Sequence, residues 1–275
     1  MTRDFSTSDD FLEEVRSEVK RELAMDAREE GVQKNAVELR DVWLSYGANQ
    51  VLRGINFGVA RGETLCILGG SGVGKSTILR LILRLIMPDR GEILLSGHDI
   101  CTVSFDDVLE LRQNMGMVFQ ASALFDSMNV FDNVAFPLLE HTTLSDEAIR
   151  ERVEEVLSFV DLKPSEVLDL LPAELSGGMR KRVGVARAIV HKPPILLFDE
   201  PTSGLDPVTT RTIDDLILKL RRELNVCAVV VTHDIRSAAR IATEAALLLD
   251  GEITFKGSPE EMFASDDEYV RAFLG

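Results

Sequence analysis

One stretch of the chain, Gly69 to Ser76, has the residue types and spacing to bind phosphate groups. It reads Gly-Gly-Ser-Gly-Val-Gly-Lys-Ser and fits the pattern G-x-x-x-x-G-K-[ST]. Its glycines allow a tight turn in which several backbone N–H groups point at one anion. Lys75 would reach the β- and γ-phosphates of a nucleotide, and the Ser76 hydroxyl would hold Mg²⁺. The residues expected to bind the nucleotide here are Gly69, Gly70, Ser71, Gly72, Val73, Gly74, Lys75, Ser76 and Thr77.

The flanks of this loop favour a strand before it and a helix after it. Thr64 to Leu68 is an apolar run typical of a buried strand, and Ser76 to Leu85 has the pattern of a helix. The positive N-terminal end of that helix would face the phosphates. A glycine-rich turn with a chance lysine would need neither flank, so the context favours phosphate binding.

Polar residues that follow two further apolar runs would complete a site for chemistry. Ile195–Phe198 ends in Asp199 and Glu200, and Ala228–Thr232 is followed by His233. Ligands of α/β sheets bind at the carboxyl ends of the strands. Asp199 can therefore hold Mg²⁺ beside the loop, while Glu200 orients or deprotonates water. The residues expected to take part in the chemistry are Glu200, His233 and Gln120.

The elements that position these residues follow from the same periodicities. Apolar strands that alternate with helices predict an α/β fold with a largely parallel sheet. Short strands dominate from residue 37 to residue 96, with Val37–Leu39 and Val42–Leu44 on either side of Asp41. Residues 113–190 are mostly helical in pattern. At the tail, Ser258 and Ser265 each begin a capping-box pattern, which predicts two short terminal helices.

A run of cations follows Leu175-Ser176-Gly177-Gly178-Met179 along a stretch with helical pattern that extends to Val190. A solvated face is the ordinary arrangement for such charges, and we expect it here. The cations are Arg180, Lys181, Arg182 and Arg187.

Residues 1–35 are distinct from the rest in composition, and we expect a division into this extension and one domain, residues 36–275. The extension holds ten acidic and six basic side chains, a net charge of −4. Its apolar residues recur every fourth position, which predicts one amphipathic helix. A solvated helix on its own domain is the favoured interpretation, and a partner-binding helix is the alternative. The recurring residues are Phe11, Val15, Val19 and Leu23.

Composition bounds the class of protein. The 275 residues are 45% hydrophobic and 28% charged, as in ordinary globular proteins. The net charge of −16 argues against a general nucleic-acid binder, which needs a basic face. Cys66 and Cys227 lie in apolar runs and are expected to be core thiols. We expect no membrane span and no signal or transit peptide.

Tyr46 is a lone aromatic residue ahead of the phosphate loop, in Ser45-Tyr46-Gly47. It could stack on an adenine ring. It could equally be an edge tyrosine of a strand without a further role, and the residues alone leave both interpretations open.

In chain order these motifs resemble those of ABC-type ATPase subunits. The resemblance runs from Tyr46 to His233 and departs from the family at Met179, where glutamine is usual. It rests on the phosphate loop, Gln120 in Val118-Phe119-Gln120, the signature Leu175-Ser176-Gly177-Gly178, the Walker B strand ending in Asp199-Glu200, the D-loop Ser203-Gly204-Leu205-Asp206 and the switch histidine His233.

The resemblance implies a P-loop NTPase core with an antiparallel β subdomain and a helical signature subdomain. It implies ATP and Mg²⁺ as cofactors, with Gln120 as a further Mg²⁺ or water contact. Two copies would face head to tail and sandwich ATP. The residues that this arrangement adds to the nucleotide site are Ser176, Gly177, Gly178 and Asp206, with Tyr46 on the adenine.

Two segments are similar to the Mla/MCE lipid-transport ATPases. They are the signature with Met179, which continues Arg-Lys-Arg-Val, and the stretch from Phe119 to Val134. The similarity implies a subunit on the cytoplasmic face of the inner (plasma) membrane, working with an integral membrane permease and MCE substrate-binding proteins to move phospholipids. The stretch around Phe125, Met128 and Phe131 would dock a permease helix, with ordinary core packing as its alternative.

Three other functions would each predict different features in the sequence. A subunit of another ABC transporter would share every motif except those of the lipid-transport group. A soluble ABC ATPase that acts on nucleic acid or ribosomes would carry a second cassette, a coiled-coil insertion or a basic surface, and none is evident in the sequence. A sensing module without turnover would lack the Walker B carboxylate or the signature, and this chain has both.

Overall fold

The computed structural model describes residues 35–275, and within that part of the chain it contains ten strands and ten α-helices. The strands are β1 (Asn35–Tyr46), β2 (Asn49–Ala60), β3 (Thr64–Leu68), β4 (Arg90–Leu95), β5 (His98–Asp99), β6 (Met115–Val118), β7 (Ile195–Asp199), β8 (Cys227–Thr232), β9 (Glu244–Leu249) and β10 (Glu252–Gly257). The helices are α1 (Lys75–Ile82), α2 (Phe105–Arg112), α3 (Val130–His141), α4 (Asp146–Phe159), α5 (Pro164–Val167), α6 (Gly177–Ile189), α7 (Pro207–Leu224), α8 (Ile235–Ile241), α9 (Pro259–Phe263) and α10 (Glu268–Leu274).

A six-stranded sheet carries the site. Its strand order is β10-β9-β3-β8-β7-β6. All neighbours are parallel except β10, which runs antiparallel to β9 at one edge. Every residue of β3 and of β8 is buried. Parallel strands covered on both faces need apolar residues throughout, which explains the continuous apolar runs in the sequence.

The two faces of this sheet pack into separate hydrophobic cores. Phe198 points into the core shared with the helices that follow β6, and its neighbour Leu197 points into the core shared with the antiparallel sheet. Cys66 and Cys227 are fully buried, one in each core. Burial raises the pKa of both thiols, so they are inert core residues, as predicted. Burial of one side chain such as Phe198 contributes about 1.5–3 kcal/mol to folding.

The register of the central strands brings the predicted site residues together. Leu68, the last residue of β3, pairs with Thr232 at the end of β8, and Asp199 at the end of β7 pairs with Val231. Because the carboxyl ends of parallel strands meet at one edge, the loops after β3, β7 and β8 all emerge there.

The second sheet has the order β2-β1-β4-β5 and is antiparallel. The two short strands expected around Asp41 are one strand, β1, with an irregularity between Leu39 and Val42 where Asp41 adopts a φ of 46°. Such a bulge bends a strand without ending it, which the sequence pattern does not distinguish from a turn. The hairpin between β1 and β2 places Tyr46 opposite Asn49.

The helical part begins later than the sequence pattern indicates. The range 113–190 starts with β6, which pairs with β7 in the central sheet and does not belong to the helical part. Four residues are too few for periodicity to reveal a strand. Helices α3, α4 and α6 then share one core that includes Val134, Val153 and Val183.

Residues 1–34, which carry the predicted amphipathic helix, lie outside the described residues. Among residues 35–275, no helix is both long enough and apolar enough to cross a membrane. The boundary between an extension and a domain near residue 35 stays a prediction.

Candidate functional site

The phosphate loop joins β3 to α1 and contains glycines, at Gly69 and Gly74, that a residue with a side chain could not replace without strain. A Cβ atom on Gly69 would lie 2.5 Å from the carbonyl oxygen of Leu248. Gly74 has a φ of 109° and forms the N-terminal boundary of α1. Gly69 is therefore required because another backbone lies too close for a Cβ atom, and Gly74 because residues with side chains rarely adopt its φ.

The ammonium group of Lys75 lies across this loop. It donates hydrogen bonds of 2.8 Å to the carbonyl oxygens of Gly69 and of Gly70. Its side chain is only 7% exposed, and Nζ lies 3.6 Å from Oε1 of Glu200. A single cation is thus held between the loop backbone and the carboxylate that follows β7.

Ser76 and Asp199 form the second contact between the loop and the sheet. The Ser76 hydroxyl donates to Oδ1 of Asp199 at 2.8 Å. In residues 35–275, no group of three or more histidine, cysteine, aspartate or glutamate side chains could hold a metal ion. Mg²⁺ fits a site with one or two protein oxygens because it keeps several waters and takes its other ligands from phosphates. The Ser76 and Asp199 oxygens meet that requirement.

Glu200 is held in a specific place by the last residue of β8 and the histidine that follows it. Nδ1 of His233 lies 2.8 Å from its Oε2, and the Thr232 hydroxyl and the His233 amide each donate to Oε2 at 3.4 Å. The carboxylate is 12% exposed, whereas the His233 side chain is 62% exposed. The backbone of Glu200 has a φ of 47°, which is uncommon for a residue with a side chain. Such strained residues occur where the surrounding structure fixes a functional group.

Gln120 follows β6 at the same edge of the sheet. Its side-chain amide donates to the Ser203 hydroxyl at 3.3 Å, which links it to the loop after β7. Ser203 in turn connects Gln120 to Glu200, because its backbone N–H donates to the Glu200 carbonyl oxygen at 3.2 Å.

The signature residues lie against the start of α7 in the same chain. Ser176 is exposed and caps α6, with its hydroxyl accepting from the Met179 amide at 3.2 Å. A Cβ atom on Gly178 would lie 2.6 Å from the Thr209 side chain. Asp206 caps α7 and accepts from the amides of Val208 and Thr209. The hydrogen bond from the Thr209 hydroxyl is the main cause that lowers the pKa of Asp206. Ser176 and Asp206 are therefore exposed caps of two helices that meet at Gly178 and Thr209.

A cavity of about 400 Å³ lies beside the phosphate loop, between that loop and the β1–β2 hairpin. Asn49 and Gln50 line one side of it, and Ser71 to Val73 line the other. Tyr46 is half-exposed on the same hairpin. This placement is compatible with stacking on a base, and the edge-tyrosine interpretation stays open.

Comparison with protein-family models identifies residues 52–203 as an ABC transporter domain. The matched range contains the phosphate loop, Gln120, the signature and the Walker B strand. The chain belongs to the ABC transporter family.

Relatives and solved structures agree with this assignment. The chain is 40% identical to the "Intermembrane phospholipid transport system ATP-binding protein MlaF" of Haemophilus influenzae, over 88% of this chain and 90% of that protein. It is 43% identical to the protein of the same name from Escherichia coli K12, over 87% and 88%. It is 39% identical to the "Probable ribonucleotide transport ATP-binding protein mkl" of Mycobacterium tuberculosis, over 87% and 66%.

The fold is that of ABC ATPase cassettes. The cassette cbiO1 of Clostridium perfringens superposes with a TM-score of 0.78 at 31% identity, over 88% of this chain and 95% of that one. The cassette MJ0796, whose structure is a dimer in a post-hydrolysis state with ADP and Pi, superposes with a TM-score of 0.74 at 33% identity, over 81% and 98%. The predicted P-loop α/β fold with a β subdomain and a helical subdomain is confirmed, and this ABC cassette is an ATPase.

Two features of the cassette were not anticipated from the sequence. Lys181 is 5% exposed and does not belong to a solvated face, because its ammonium donates to the backbone carbonyls of Gln120 and Glu200. Thr232 looked like an ordinary buried strand residue, yet its hydroxyl faces Glu200. Neither role leaves a signal in spacing alone.

Proposed function

We propose that this ABC ATPase binds MgATP at the phosphate loop and hydrolyses it to drive phospholipid transport between membranes. The assignment of phospholipid as the transported substrate rests on the 40–43% identity, over nearly nine-tenths of both chains, to proteins named as ATP-binding components of an intermembrane phospholipid transport system. The mkl relatives are named for ribonucleotide transport instead, and this chain matches only 66–68% of their length.

The roles of the site residues follow from their contacts. Lys75 would exchange its bonds to the Gly69 and Gly70 carbonyls for the β- and γ-phosphate oxygens of ATP. Ser76 and Asp199 would hold Mg²⁺, which when bound would help to neutralise the charge of the phosphates. Glu200 would orient the attacking water and accept its proton, and His233 keeps the Glu200 carboxylate in position.

We further propose that the site is completed by a second copy of the chain. Ser176 is exposed and the first turn of α6 is partly exposed, and the amide groups of a helix N-terminus attract a γ-phosphate. Within the described residues, the contacts of Ser176 are made with its own helix and not with the loop at Gly69–Ser76. The structure of the MJ0796 cassette is dimeric, and a head-to-tail dimer of this chain would bring the signature of one copy to the ATP of the other.

An apolar groove beside the site supports the proposal that the partner of this chain is a membrane permease. It has a volume of about 820 Å³ and lies between the edge strand β6 and helices α3 and α6. Three large apolar side chains in it, Leu109, Phe119 and Phe125, are at least 40% exposed. Phe125 thus favours docking over core packing, whereas Phe131 is packed against the core. The subunit would lie on the cytoplasmic face of the inner membrane with its permease and MCE proteins, a proposal that the similarity to the MlaF proteins supports.

The test is a pull-down of the tagged full-length chain from detergent-solubilised membranes, with proteins and lipids identified by mass spectrometry. Glu200→Gln with MgATP should retain an integral membrane permease, MCE proteins and phospholipid. Lys75→Ala is the matched control for nucleotide dependence. A ribonucleotide cargo, or recovery without any integral membrane protein, would reject the phospholipid assignment.

A further inference from the structure

Two cations of α6 donate to the backbone of the turn that begins at Gln120. Lys181 donates to the carbonyl oxygen of Gln120, and Arg187 donates to those of Ser122 and Ala123 at 2.8 and 2.9 Å. Between them lies Gly184, where a Cβ atom would come within 3.4 Å of the Ser122 side chain. One face of α6 therefore contacts this turn at three successive positions, Lys181, Gly184 and Arg187.

Lys181 also reaches the catalytic strand end. Its Nζ lies 3.4 Å from the carbonyl oxygen of Glu200, so one ammonium group bridges the backbones of Gln120 and Glu200. Burial lowers the pKa of Lys181, while the carboxylates of Glu200 and Asp199 oppose that shift. A buried lysine is unfavourable unless its donors are satisfied, so the two carbonyls account for its place in the interior.

Glu200, which Lys181 holds, and the turn that follows Gln120 both contain unusual backbone conformations. Glu200 has a φ of 47°, and Ser122 and Ala123, just after Gln120, have φ values of 63° and 46°. Residues with side chains occupy this region only when neighbouring groups stabilise it. For Glu200 those groups are the Val231 carbonyl, the Ser203 amide and the Lys181 ammonium.

We propose that Lys181 is a positioning residue for ATP hydrolysis, which fixes the backbones of Gln120 and Glu200 relative to the signature helix α6. The proposal rests on the roles proposed above for Gln120 and Glu200. Ser176 caps the same helix. If α6 shifts when a second copy docks, Lys181 would therefore move the backbones of Gln120 and Glu200 with it. The active arrangement of the water-orienting groups then depends on the position of the signature.

The activity test compares Lys181→Met and Lys181→Arg in the full-length chain. Methionine keeps the length of the side chain and removes the donors. Misplacement of a catalytic group by about 1 Å can cost about 100-fold in rate, so we expect kcat to fall by about 10- to 100-fold with KM for MgATP within about threefold of the parent. Lys181→Arg should recover most of the loss because it restores donors to the same carbonyls.

The matched control is Lys219→Met. Lys219 donates to the carbonyl oxygen of Phe159 at 2.8 Å, which is the same kind of contact placed away from the site. It should leave kcat and KM near the parent values. A kcat for Lys181→Met no lower than that of Lys219→Met, or a loss that appears in KM alone, would overturn the proposal.

Amide hydrogen exchange gives a second measurement that does not depend on turnover. Lys181→Met should accelerate exchange at Ser122 and Ser203, whose amides bond to the carbonyls of Phe119 and Glu200. Lys219→Met should not change them, and unchanged exchange in Lys181→Met would refute the positioning role. Parent-level turnover in Glu200→Gln would instead reject the role of Glu200 and leave the exchange result standing.

Discussion

The hydroxyl of Ser76 donates a hydrogen bond of 2.8 Å to Oδ1 of Asp199, although 123 residues separate them in the chain. The contact joins the first turn of α1 to the end of β7 and places two oxygen ligands side by side. It exists because β3 and β7 flank β8 in a parallel sheet, so that the loops at their carboxyl ends meet.

Asp199→Asn should raise the Mg²⁺ concentration needed for half-maximal ATP hydrolysis. Loss of even an outer partner of a metal site weakens metal binding by about 10- to 100-fold, and we expect at least that shift for a direct ligand. Titration of Mg²⁺ at fixed ATP measures it. Asp215→Asn, a surface carboxylate paired with Arg240, is the control and should leave the titration unchanged. An unshifted midpoint in Asp199→Asn would remove this residue from the metal site.

Lys75→Ala should abolish ATP hydrolysis and weaken nucleotide binding while the fold persists. The substitution removes the ammonium group that lies across the phosphate loop, and loss of one preorganised donor costs about 100- to 1,000-fold in kcat. Turnover and nucleotide titration measure the effect, and thermal unfolding checks the fold. Lys163→Ala removes an exposed lysine paired with Glu166 and should behave like the parent. Near-normal turnover in Lys75→Ala would contradict the assignment of the loop.

Phe125→Asp should uncouple transport from ATP hydrolysis without loss of ATP binding. Phe125 is 42% exposed in the groove, and aromatic anchors of this kind contribute about 2 kcal/mol or more to an interface. Co-purification with the permease should fall, while ATPase activity of the isolated chain stays. Phe131→Asp, at a position packed against the core, should lower the unfolding temperature instead. Unfolding of Phe125→Asp itself would favour the core interpretation of this stretch.

Deletion of residues 1–34 should leave basal ATPase activity largely unchanged, because every residue assigned to the site lies downstream. The truncation should stop before Asn35, which begins β1 and pairs with Ala60 of β2. ATPase activity and thermal unfolding of the truncated chain test this. A folded truncation without activity would show that the segment belongs to the catalytic unit.

Sequence reasoning predicted which candidate site residues lie close together where a motif is local or where strand order is implied by alternation. The phosphate loop needs only its own glycines, Lys75 and Ser76. The convergence of Asp199, Glu200 and His233 required one further idea, that parallel strands present their carboxyl ends at a common edge.

What the sequence missed depends on contacts between distant segments. A lysine in a cationic run looks solvated unless its carbonyl partners are known, and those of Lys181 come from two loops. The cap of the last helix shows the same limit on a small scale. Ser258 caps α9 as predicted, but α10 begins two residues later than the Ser265 pattern indicates, because the Asp267 carboxylate accepts from the amides of Tyr269 and Val270.

Glu200→Gln should bind MgATP, turn over very slowly and accumulate as an ATP-bound dimer. Glutamine keeps the shape of glutamate but cannot accept the proton of the attacking water, and general-base catalysis contributes about 10²- to 10⁴-fold in rate. Lys75, Ser76 and Asp199 are unchanged, so nucleotide binding should survive. The γ-phosphate then continues to bridge the loop of one copy and the signature of the other. Size-exclusion chromatography should show a dimer with MgATP and a monomer with ADP.

Ser176→Arg, added to Glu200→Gln, should abolish that dimer. Ser176 is exposed at the N-terminus of α6, and an arginine there would fill the space that the γ-phosphate of the opposing copy needs. Arg182→Ala in the same background is the control, since Arg182 donates to the Asp161 carbonyl on another side of α6. A dimer that survives Ser176→Arg would show that the signature does not complete the site of the second copy. Parent-level hydrolysis by Glu200→Gln alone would show that another group deprotonates the water.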